Sequence, residues 1–305
     1  MSLVSAYEEL RRRSVGDVRI AEPMARHTSL RIGGPADLFV VCDTLAGLSD
    51  TLDVLLAEGI PFTTVGKGTN LLVADAGVRG AILLLGKEFK RHACEDGHIR
   101  AGAACVLAYL VQDAFSRGLG GLEFAVGVPG TVGGALAMNA GGRDAWIGSV
   151  TESVTLFVPE QGLVRLRGDE ISWGYRTSGL PSRGIIVEGV LRLAPADPER
   201  IRLEMERSLK RRKSTQPLGS PSAGSSFKNP DGDSAGRLIE ASGLKGTKLG
   251  GAWVSDVHAN FIVNDGGATA ADVVGLMSKV RTTVRDAHGI ELQPEVRFLG
   301  EFAEP

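Results

Sequence analysis

The 305-residue sequence has few cysteines, few histidines and few aromatic residues. Its three cysteines, Cys42, Cys94 and Cys105, are too few and too scattered for a disulfide framework or a C-x-x-C metal site. Each lies in or beside an apolar stretch, so we expect a buried, reduced thiol at each position. The five histidines show no H-x-x-x-H spacing, and we therefore predict no zinc site and no other metal site.

The sequence also lacks a long apolar run and an excess of charge of one sign. No apolar stretch approaches the roughly 18 residues of a membrane-spanning helix. Charged residues occupy the N-terminus, where a signal peptide needs an apolar segment. We therefore expect a cytoplasmic protein without membrane contact. The formal net charge of −2 creates no overall basic field, and we expect no nucleic-acid partner.

The composition is that of an ordinary globular protein, with 43% hydrophobic and 23% charged residues. The chain is too long for one small core, which predicts two or three compact units. Predicted strands and helices are mixed without a long βαβα rhythm. This pattern favours an α+β fold over a doubly wound sheet.

Local signals predict several individual elements. The segment before residue 36 is expected to be irregular. Thr44 precedes leucines at helical spacing and is predicted to cap a helix, and the pattern Thr269-x-x-Asp272 predicts a capping box for a second, long helix. The segment 194–200 has the proline and charge content of a linker, and 291–299 is predicted to form one strand.

A first glycine-rich loop, VGKGTNLLV at 65–73, follows a predicted strand. It lacks the P-loop pattern because Gly68, instead of Ser or Thr, follows Lys67. It also lacks the Rossmann fingerprint, because Leu71 stands where Gly or Ala is required. Gly66 and Gly68 nevertheless allow a turn that exposes successive backbone N–H groups, which can hold a pyrophosphate. A purely structural turn explains this loop equally well.

A second glycine-rich loop, GVPGTVGGALAMNAGG, occupies residues 127–142. Its glycines allow the backbone to approach something flat or anionic. Glycine in an ordered segment costs conformational entropy, and a ligand pressed against the backbone is the usual compensation. Tight packing of a helix against the loop is the alternative explanation.

The segment SAGSSFKNP at 222–230 contains the pattern S-x-x-K, from Ser225 to Lys228. At this spacing a lysine activates the nucleophilic serine of penicillin-recognising enzymes. That class also requires S-D-N and K-T-G, whereas this chain has S-D-V at 255–257 and K-G-T at 245–247. By itself the pattern leaves Ser225 open as a nucleophile, a proton donor or a loop serine.

The two glycine loops together, in this order, resemble the FAD-binding domain of the vanillyl-alcohol-oxidase (PCMH) type. Seven motifs along nearly the whole chain carry a further resemblance: HTSLRIGGPAD (27–37), VGKGTNLLV (65–73), GVPGTVGGALAMNAG (127–141), GYRTS (174–178), AGSSFKNP (223–230), LKGTKLGGAWVSDVHANFIVN (244–264) and QPEVRF (293–298). In this order they are similar to one family with that domain, the UDP-N-acetylenolpyruvoylglucosamine reductases of bacterial peptidoglycan synthesis.

The resemblance implies an α+β fold with two FAD-binding subdomains, 1–88 and 89–196, and a smaller substrate-binding domain, 197–305. It implies FAD as cofactor, NADPH as reducing co-substrate, a UDP-sugar as substrate, and a monomer or weak oligomer. The stretch between Arg176 and Ser225 is too short for the tyrosine-carrying insertion of the longer subclass. The chain is therefore similar to the shorter subclass.

Carried over by motif, the family's catalytic set is Arg176, Ser225 and Glu295. In the family, reduced FAD gives hydride to the β-carbon of an enolpyruvyl ether, and the adjacent carbon receives a proton. Arginine suits the enediolate that forms, serine suits the delivery of the proton, and glutamate suits a proton relay or a hydrogen bond to the enediolate.

The remaining implied site residues fall into two groups. The cofactor-binding residues are Gly66, Lys67, Gly68, Thr69, Asn70, Leu71, Gly127, Pro129, Gly130, Thr131, Gly133, Gly134, Asn139, Ala140, Gly141 and Ile186. The substrate-binding residues are Tyr175, Lys213, Asn229, Lys245 and His258. The chain departs from the family pattern at 142–146, where GRDAW replaces an aromatic-bearing AYG.

Two further functions remain compatible with these motifs. One is an FAD-dependent oxidase of the same fold that acts on another substrate. The other is a non-catalytic nucleotide-binding module, which explains the glycine loops but leaves the Arg/Ser/Glu set without a role.

Overall fold

The structure is a computed structural model that describes residues 3–142 and 144–302. Arg143, which belongs to the segment that departs from the family pattern, lies outside the described residues, as do the outermost residues of the first and last predicted domains. The chain forms two compact units, and each is described by itself. Unit 1 comprises Met1–Ile20, Leu38–Lys67 and Gly80–Lys210, and unit 2 comprises Ala21–Asp37, Gly68–Arg79 and Arg211–Pro305.

The division into three domains at 88/89 and 196/197 stays a prediction. The packing groups the residues in a different way, because the N-terminal segments Ala21–Asp37 and Gly68–Arg79 join the C-terminal part of the chain in unit 2. The first glycine loop therefore begins in unit 1 and ends in unit 2.

The helices and strands of the described residues are numbered along the chain. The α-helices are α1 (Leu3–Arg12), α2 (Leu45–Ala57), α3 (Leu107–Ser116), α4 (Val132–Met138), α5 (Pro198–Thr215), α6 (Ala235–Ala241) and α7 (Ala270–His288). The strands are β1 (Gly16–Pro23), β2 (Pro35–Cys42), β3 (Phe62–Thr64), β4 (Leu71–Val73), β5 (Val78–Leu85), β6 (His92–Glu95), β7 (His98–Gly102), β8 (Leu119–Gly120), β9 (Thr151–Val158), β10 (Gly162–Arg167), β11 (Ile185–Arg192), β12 (Ala194–Pro195), β13 (Ser222–Ser225), β14 (Lys248–Leu249), β15 (Ala252–Val254), β16 (Phe261–Asn264) and β17 (Arg297–Leu299).

Unit 1 contains two larger sheets and the short antiparallel pair of β8 and β12. Most residues of a four-stranded sheet, in the order β1-β2-β5-β3, belong to this unit, as does a five-stranded antiparallel sheet in the order β10-β9-β11-β7-β6. The central β11 is buried at six of its eight positions, because it has a strand on each side and α4 packs against it. This packing holds the second glycine loop against the five-stranded sheet.

The predicted cap of α2 is confirmed. The Thr44 hydroxyl accepts a hydrogen bond from the Gly47 N–H at 3.0 Å, which satisfies one of the N–H groups that a helix start leaves without a partner. Leu48, Leu52 and Leu55 of this helix are buried in the core of unit 1. The leucine periodicity therefore marks the buried face, as the sequence predicts.

Unit 2 contains a four-stranded antiparallel sheet in the order β13-β16-β15-β14, and a parallel pair formed by β4 and β17. The long helix α7 buries Val273, Met277, Val280 and Val284 in the core of this unit. The predicted capping box of Thr269 and Asp272 is confirmed.

A second acidic side chain supports the start of α7. The two carboxylate oxygens of Asp75 accept hydrogen bonds from the N–H groups of Ala270 and Ala271, at 2.8 and 3.0 Å. Asp75 lies two residues after the end of β4, so this contact fixes the turn after the first glycine loop to the helix.

Three expectations about local structure were wrong. The segment before residue 36 contains α1 and β1. The helix α1 forms because Ala6 and Leu10 lie one helical turn apart and are both buried. The segment 194–200 contains β12 and the start of α5. The segment 291–299 is a strand only over Arg297–Leu299, because it changes its pairing partner at Pro294. This proline has no N–H to donate, and the chain pairs with Phe227 there before it joins β4.

The cysteines partly match the expectation. Cys42 and Cys105 are buried free thiols, and burial raises the pKa of each to about 11. Cys94 is only half-buried.

Within the part of the chain that the structure describes, no helix is both long enough and apolar enough to cross a membrane, and no group of three metal-ligating side chains is found.

Candidate active site

Ser225 ends β13 directly after a β-bulge. Ser222 pairs with Val263 and Ser225 pairs with Phe261, so β13 has one residue more than β16 over this stretch. The intervening Gly224 has a φ of 78°, which glycine adopts without the steric cost of a Cβ. A bulge bends its strand and turns the following side chain. The bulge therefore sets the direction of the Ser225 side chain.

The two adjacent serines have different environments. Ser226 is 3% exposed, and its hydroxyl oxygen accepts a hydrogen bond from the Ile262 N–H at 3.3 Å. Ser225 is half-buried, and its hydroxyl makes no hydrogen bond to any other described residue. Ser226 is thus part of the fold, whereas the Ser225 hydroxyl is available for a ligand.

Asn260 holds the backbone directly after these serines. Its side chain accepts a hydrogen bond from the Phe227 N–H at 2.9 Å and donates one to the Phe227 carbonyl at 2.8 Å. Its own carbonyl accepts a hydrogen bond from the Ser226 N–H at 2.8 Å. Asn260 is 3% exposed, so its hydrogen bonds to Ser226 and Phe227 form a buried polar network in which the donors and acceptors are paired.

Glu295 lies on the segment that pairs with these serines. The Glu295 N–H donates to the Ser226 carbonyl at 2.9 Å, and the Lys228 N–H donates to the Gln293 carbonyl at 2.8 Å. These bonds place the backbone of Glu295 beside that of Ser226. Unit 2 therefore brings together two of the three predicted catalytic residues, although 70 positions of sequence separate them.

The structure gives the S-x-x-K pattern no support as a nucleophile motif. Among the described residues, the Ser225 hydroxyl and the Lys228 side chain form no hydrogen bond with each other. A lysine that activates a serine must lie within hydrogen-bond reach of it. The role of Ser225 as a proton donor stays a prediction.

Arg176 lies in unit 1, at the corner of a tight turn. Gly174 and Thr177 are hydrogen-bonded across the turn in both directions, at 2.9 and 3.3 Å. Arg176 has a φ of 58°, a left-handed conformation that is uncommon for a residue with a Cβ. Its guanidinium donates to the Gly141 carbonyl at 2.9 Å and lies 5.3 Å from the centre of the Tyr175 ring.

Asn139 ties this turn to the second glycine loop. Its side-chain amide donates to the Gly174 carbonyl at 3.0 Å, and its side-chain oxygen accepts from the Gly148 N–H at 3.1 Å. Asn139 itself has a left-handed conformation at the end of α4. The Asn139 side chain therefore holds the Arg176 turn in place, in addition to the cofactor contact that the sequence predicts.

The two glycine loops meet inside unit 1. Thr131 caps α4, and its hydroxyl accepts a hydrogen bond from the Gly134 N–H at 3.2 Å. A Cβ added to Gly66 would lie 2.7 Å from this hydroxyl oxygen. Gly133 packs in the same way against Ala103, whose carbonyl accepts its N–H at 2.8 Å. Glycine is thus required at both positions by close packing.

The loops also carry backbone donors that suit FAD. Five backbone N–H groups form no hydrogen bond within residues 3–142 and 144–302. They are those of Gly66, Lys67, Gly68, Thr69 and Gly130. Gly68 has a φ of 60°, and successive N–H groups around a residue in this conformation are suited to an anion. The residues present therefore fit the pyrophosphate of a dinucleotide.

Other predicted cofactor residues lie where packing is tight. Ile186 is 8% exposed in β11 and belongs to the core of unit 1. Gly127 and Pro129 are exposed at the start of the second loop, whereas Gly130 is buried. Leu71 is half-buried in β4, opposite Arg297 of β17.

The predicted substrate residues have very different surroundings. Tyr175 is 54% exposed, and Lys213 is exposed in the last turn of α5. The Asn229 side chain accepts a hydrogen bond from the Ala235 N–H at 3.1 Å. Lys245 forms an ion pair with Glu240 at 2.7 Å. Except for Tyr175, these residues and His258 belong to unit 2.

His258 is held by its own loop. Its Nδ1 accepts a hydrogen bond from the Asn260 N–H at 3.2 Å, and its ring lies 5.0 Å from the ring of Phe261. Burial lowers the pKa of His258, and the positive charge of Lys245 lowers it further. Near neutral pH the ring is therefore uncharged and has an Nε2–H group to donate.

Three further residues support the segments of Ser225 and Glu295, and no role for them was predicted from the sequence. They are Ser29, whose hydroxyl donates to the Ser222 carbonyl at 2.7 Å, Gly224 at the bulge, and Asn260. The positive φ of Gly224 had a visible signal, since glycine directly precedes the serine pair. The roles of Ser29 and Asn260 depend on partners far away in the sequence, and no local pattern points to them.

Two family models match parts of this chain. A family model described as an FAD binding domain matches residues 36–165, and one described as the UDP-N-acetylenolpyruvoylglucosamine reductase C-terminal domain matches residues 216–299. UDP-N-acetylenolpyruvoylglucosamine reductase 2 of Symbiobacterium thermophilum is 47% identical over 94% of each chain. This chain belongs to the UDP-N-acetylenolpyruvoylglucosamine reductase family.

Other members of the reductase family match over a similar length. The Bacillus subtilis reductase is 39% identical and covers 96% of this chain and 97% of its own. The crystal structure of the Thermus caldophilus reductase has a TM-score of 0.82 at 36% identity and covers 93% of this chain and 100% of that chain. The resemblance proposed from the motifs is confirmed.

The predicted fold class is confirmed as well. The chain has an α+β fold, with an FAD-binding domain of vanillyl-alcohol-oxidase type followed by the smaller C-terminal domain of the reductase family. An alkyldihydroxyacetonephosphate synthase shares the fold at 16% identity, with a TM-score of 0.50 over 64% of this chain and 41% of its own. The roles of the individual site residues stay predictions.

We predict that the bulge favours glycine over alanine at position 224. A Cβ there meets nothing within 4 Å, so Gly224→Ala costs only the backbone strain of a positive φ, about 1 kcal/mol in the free energy of unfolding. Gly219→Ala is the matched control, because Gly219 is equally open and needs no positive φ. Equal stability of the two variants in urea unfolding would contradict the bulge geometry.

We also predict a pH effect from His258. Because its pKa is lower in the folded protein, the unfolded chain binds a proton first as the pH falls below about 6.5. The free energy of unfolding should therefore decrease as the pH drops from about 7 to 5. His258→Asn keeps an acceptor for the Asn260 N–H but cannot be protonated, so its decrease should be smaller. An unchanged pH profile would contradict the role of burial at His258.

Proposed function

We propose that this protein reduces the enolpyruvyl ether of UDP-N-acetylglucosamine enolpyruvate to UDP-N-acetylmuramate, in the cytoplasmic synthesis of peptidoglycan precursors. The observation that carries the proposal is the match to reductases of that name over 94% of the chain. NADPH is the reducing co-substrate, and we expect the protein to act as a monomer or weak oligomer.

The cofactor is FAD, which when bound supplies the hydride chemistry between NADPH and the enolpyruvyl double bond. The backbone N–H groups of residues 66–69 and of Gly130 are suited to its pyrophosphate. Lys67 is exposed and adds positive charge beside these donors. The close packing of Gly66 on Thr131 keeps the two loops in register for one common ligand.

Ser225 supplies the proton in this scheme. When hydride reaches the β-carbon of the enolpyruvyl group, negative charge develops on the carboxylate-bearing carbon. The Ser225 O–H bond breaks as its proton moves to that carbon, and the serine oxygen then recovers a proton from solvent through Glu295. The unengaged Ser225 hydroxyl and the neighbouring Glu295 backbone support these roles.

Arg176 stabilises the charge that develops before protonation. A guanidinium offers two parallel N–H donors to a carboxylate or enediolate. One donor of Arg176 already bonds to the Gly141 carbonyl, which fixes the orientation of the guanidinium plane. The left-handed turn at Arg176 supports a functional role, because such strain is typical of active sites.

The diphosphate of the substrate is matched by residues of unit 2. Lys213 and Lys245 supply positive charge, and neutral His258 supplies an Nε2–H donor, as Asn229 does with its side-chain amide. Lys245 forms an ion pair with Glu240, so a bound diphosphate competes with that carboxylate for the lysine ammonium group. Tyr175 offers a ring face beside Arg176.

The direct test measures two half-reactions separately. The first is reduction of the flavin by NADPH, and the second, the restoring step, is its reoxidation by the enolpyruvyl substrate. Purified protein should be yellow, NADPH should bleach the flavin absorption, and UDP-N-acetylglucosamine enolpyruvate should restore it. In Ser225→Ala, bleaching by NADPH should stay within about twofold of the wild-type rate, whereas the restoring step should slow by roughly 10²–10⁴-fold, because proton transfer contributes a factor of that size. Stopped-flow absorbance measures both rates.

Ser226→Ala is the matched control for this test. It removes the buried hydrogen bond to Ile262, so it should lower the free energy of unfolding by about 1 kcal/mol and leave the restoring step much faster than in Ser225→Ala. Equal slowing of both half-reactions in Ser225→Ala would overturn the proton-donor role. Restoration by oxygen alone would instead indicate an oxidase that acts on another substrate.

A further inference from the structure

We propose that Ser29 and Asn70 are positioning residues, which connect the first glycine loop to the two backbone segments that carry Ser225 and Glu295. The proposal rests on the function proposed above. All of the atoms involved belong to unit 2, because the loop from Gly68 onwards lies in that unit.

Ser29 makes the first connection. Its backbone N–H donates to the Gly68 carbonyl at 3.1 Å, and its hydroxyl donates to the Ser222 carbonyl at 2.7 Å. Ser222 is the residue at which the bulged strand β13 begins. One residue thus bonds to the glycine loop on one side and to the strand of Ser225 on the other.

Asn70 makes the second connection. Its side-chain amide donates to the Glu295 carbonyl at 3.1 Å, and its own carbonyl accepts a hydrogen bond from the Arg297 N–H at 3.0 Å. These two bonds hold the backbone on both sides of Val296. The sequence predicts Asn70 only as a cofactor residue, and the structure adds this contact to the segment of Glu295.

The first glycine loop packs tightly against the chain at Gly68. A Cβ on Gly68 would collide with the carbonyl oxygen of His27, so the loop backbone packs directly on the segment that contains Ser29. Gly68 and Ser29 therefore move together. A shift of the glycine loop is transmitted to Ser222 through the Ser29 hydroxyl and to Glu295 through the Asn70 amide.

Such connections matter because the fold leaves the Ser225 hydroxyl without a partner. Its position depends on the backbone alone, and on the bulge at Gly224. A displacement of about 1 Å can slow a reaction about 100-fold. Proton transfer from Ser225 should therefore depend on Ser29, whereas reduction of the flavin by NADPH, which needs no proton from Ser225, should not.

The first experiment compares Ser29→Ala with Ser29→Thr, which keeps a hydroxyl, and with Ser222→Ala, which keeps the acceptor carbonyl. In Ser29→Ala we expect flavin affinity and the NADPH half-reaction within about twofold of wild type and a restoring step slowed at least about tenfold. Ser29→Thr should recover much of that loss, and Ser222→Ala should behave as wild type. Asn70→Ala should also slow the restoring step at least about tenfold, and only that step is compared for this variant, because Asn70 is a predicted cofactor residue as well.

Non-additivity separates positioning from general destabilisation. If Ser29 acts through Ser225, the double variant Ser29→Ala/Ser225→Ala should be no slower in the restoring step than Ser225→Ala alone, within about twofold. Additive losses, or an equal loss of flavin affinity and of both half-reactions, would overturn the proposal. An unchanged restoring step in both Ser29→Ala and Asn70→Ala would overturn it as well.

Hydrogen exchange of the apoprotein tests the two connections without cofactor or substrate. Backbone amides of residues 222–228 should exchange faster in Ser29→Ala, and those of residues 293–297 should exchange faster in Asn70→Ala. Ser29→Cys replaces Ser29→Ala if the latter does not fold. Unchanged exchange in these segments would overturn the proposal. A wild-type protein without the restoring step would instead refute the proposed function and leave the exchange result to decide on the connections.

Discussion

The hydrogen bond from the Glu295 N–H to the Ser226 carbonyl is the interaction on which the rest of the site depends. It joins a segment near the end of the chain to the loop that follows β13. Asn260 reinforces the same loop from the other side through its bonds to Ser226 and Phe227. Because the backbone is satisfied at both edges, Ser225 can keep a hydroxyl that contributes nothing to the fold.

This arrangement gives two adjacent serines different environments. Side chains of successive residues in an extended chain point to opposite faces, so only one of the pair can face the core. Ser226 faces it and bonds to Ile262, whereas Ser225 follows the bulge at Gly224 and keeps its hydroxyl without a partner among the described residues. The same logic separates Gly68, which is buried against His27, from the exposed Lys67 beside it.

Features with a local cause could be predicted from the sequence. The caps at Thr44 and Thr269 depend on neighbours three residues away, and the glycine loops on the conformational freedom of glycine itself. Features with a distant cause could not. The segment 291–299 changes partner at Pro294, and Ser29 acts on a carbonyl 193 positions away. No pattern within one segment contains that information, because the partner is supplied by the folded chain.

A crystal structure of the protein with FAD and UDP-N-acetylglucosamine enolpyruvate bound tests the role of Ser225 most directly. We expect the Ser225 oxygen within about 3.5 Å of the carboxylate-bearing carbon of the enolpyruvyl group, with the Ser226 hydroxyl still bonded to the Ile262 N–H. A different proton donor at that carbon, with the Ser225 oxygen out of reach, would contradict that role.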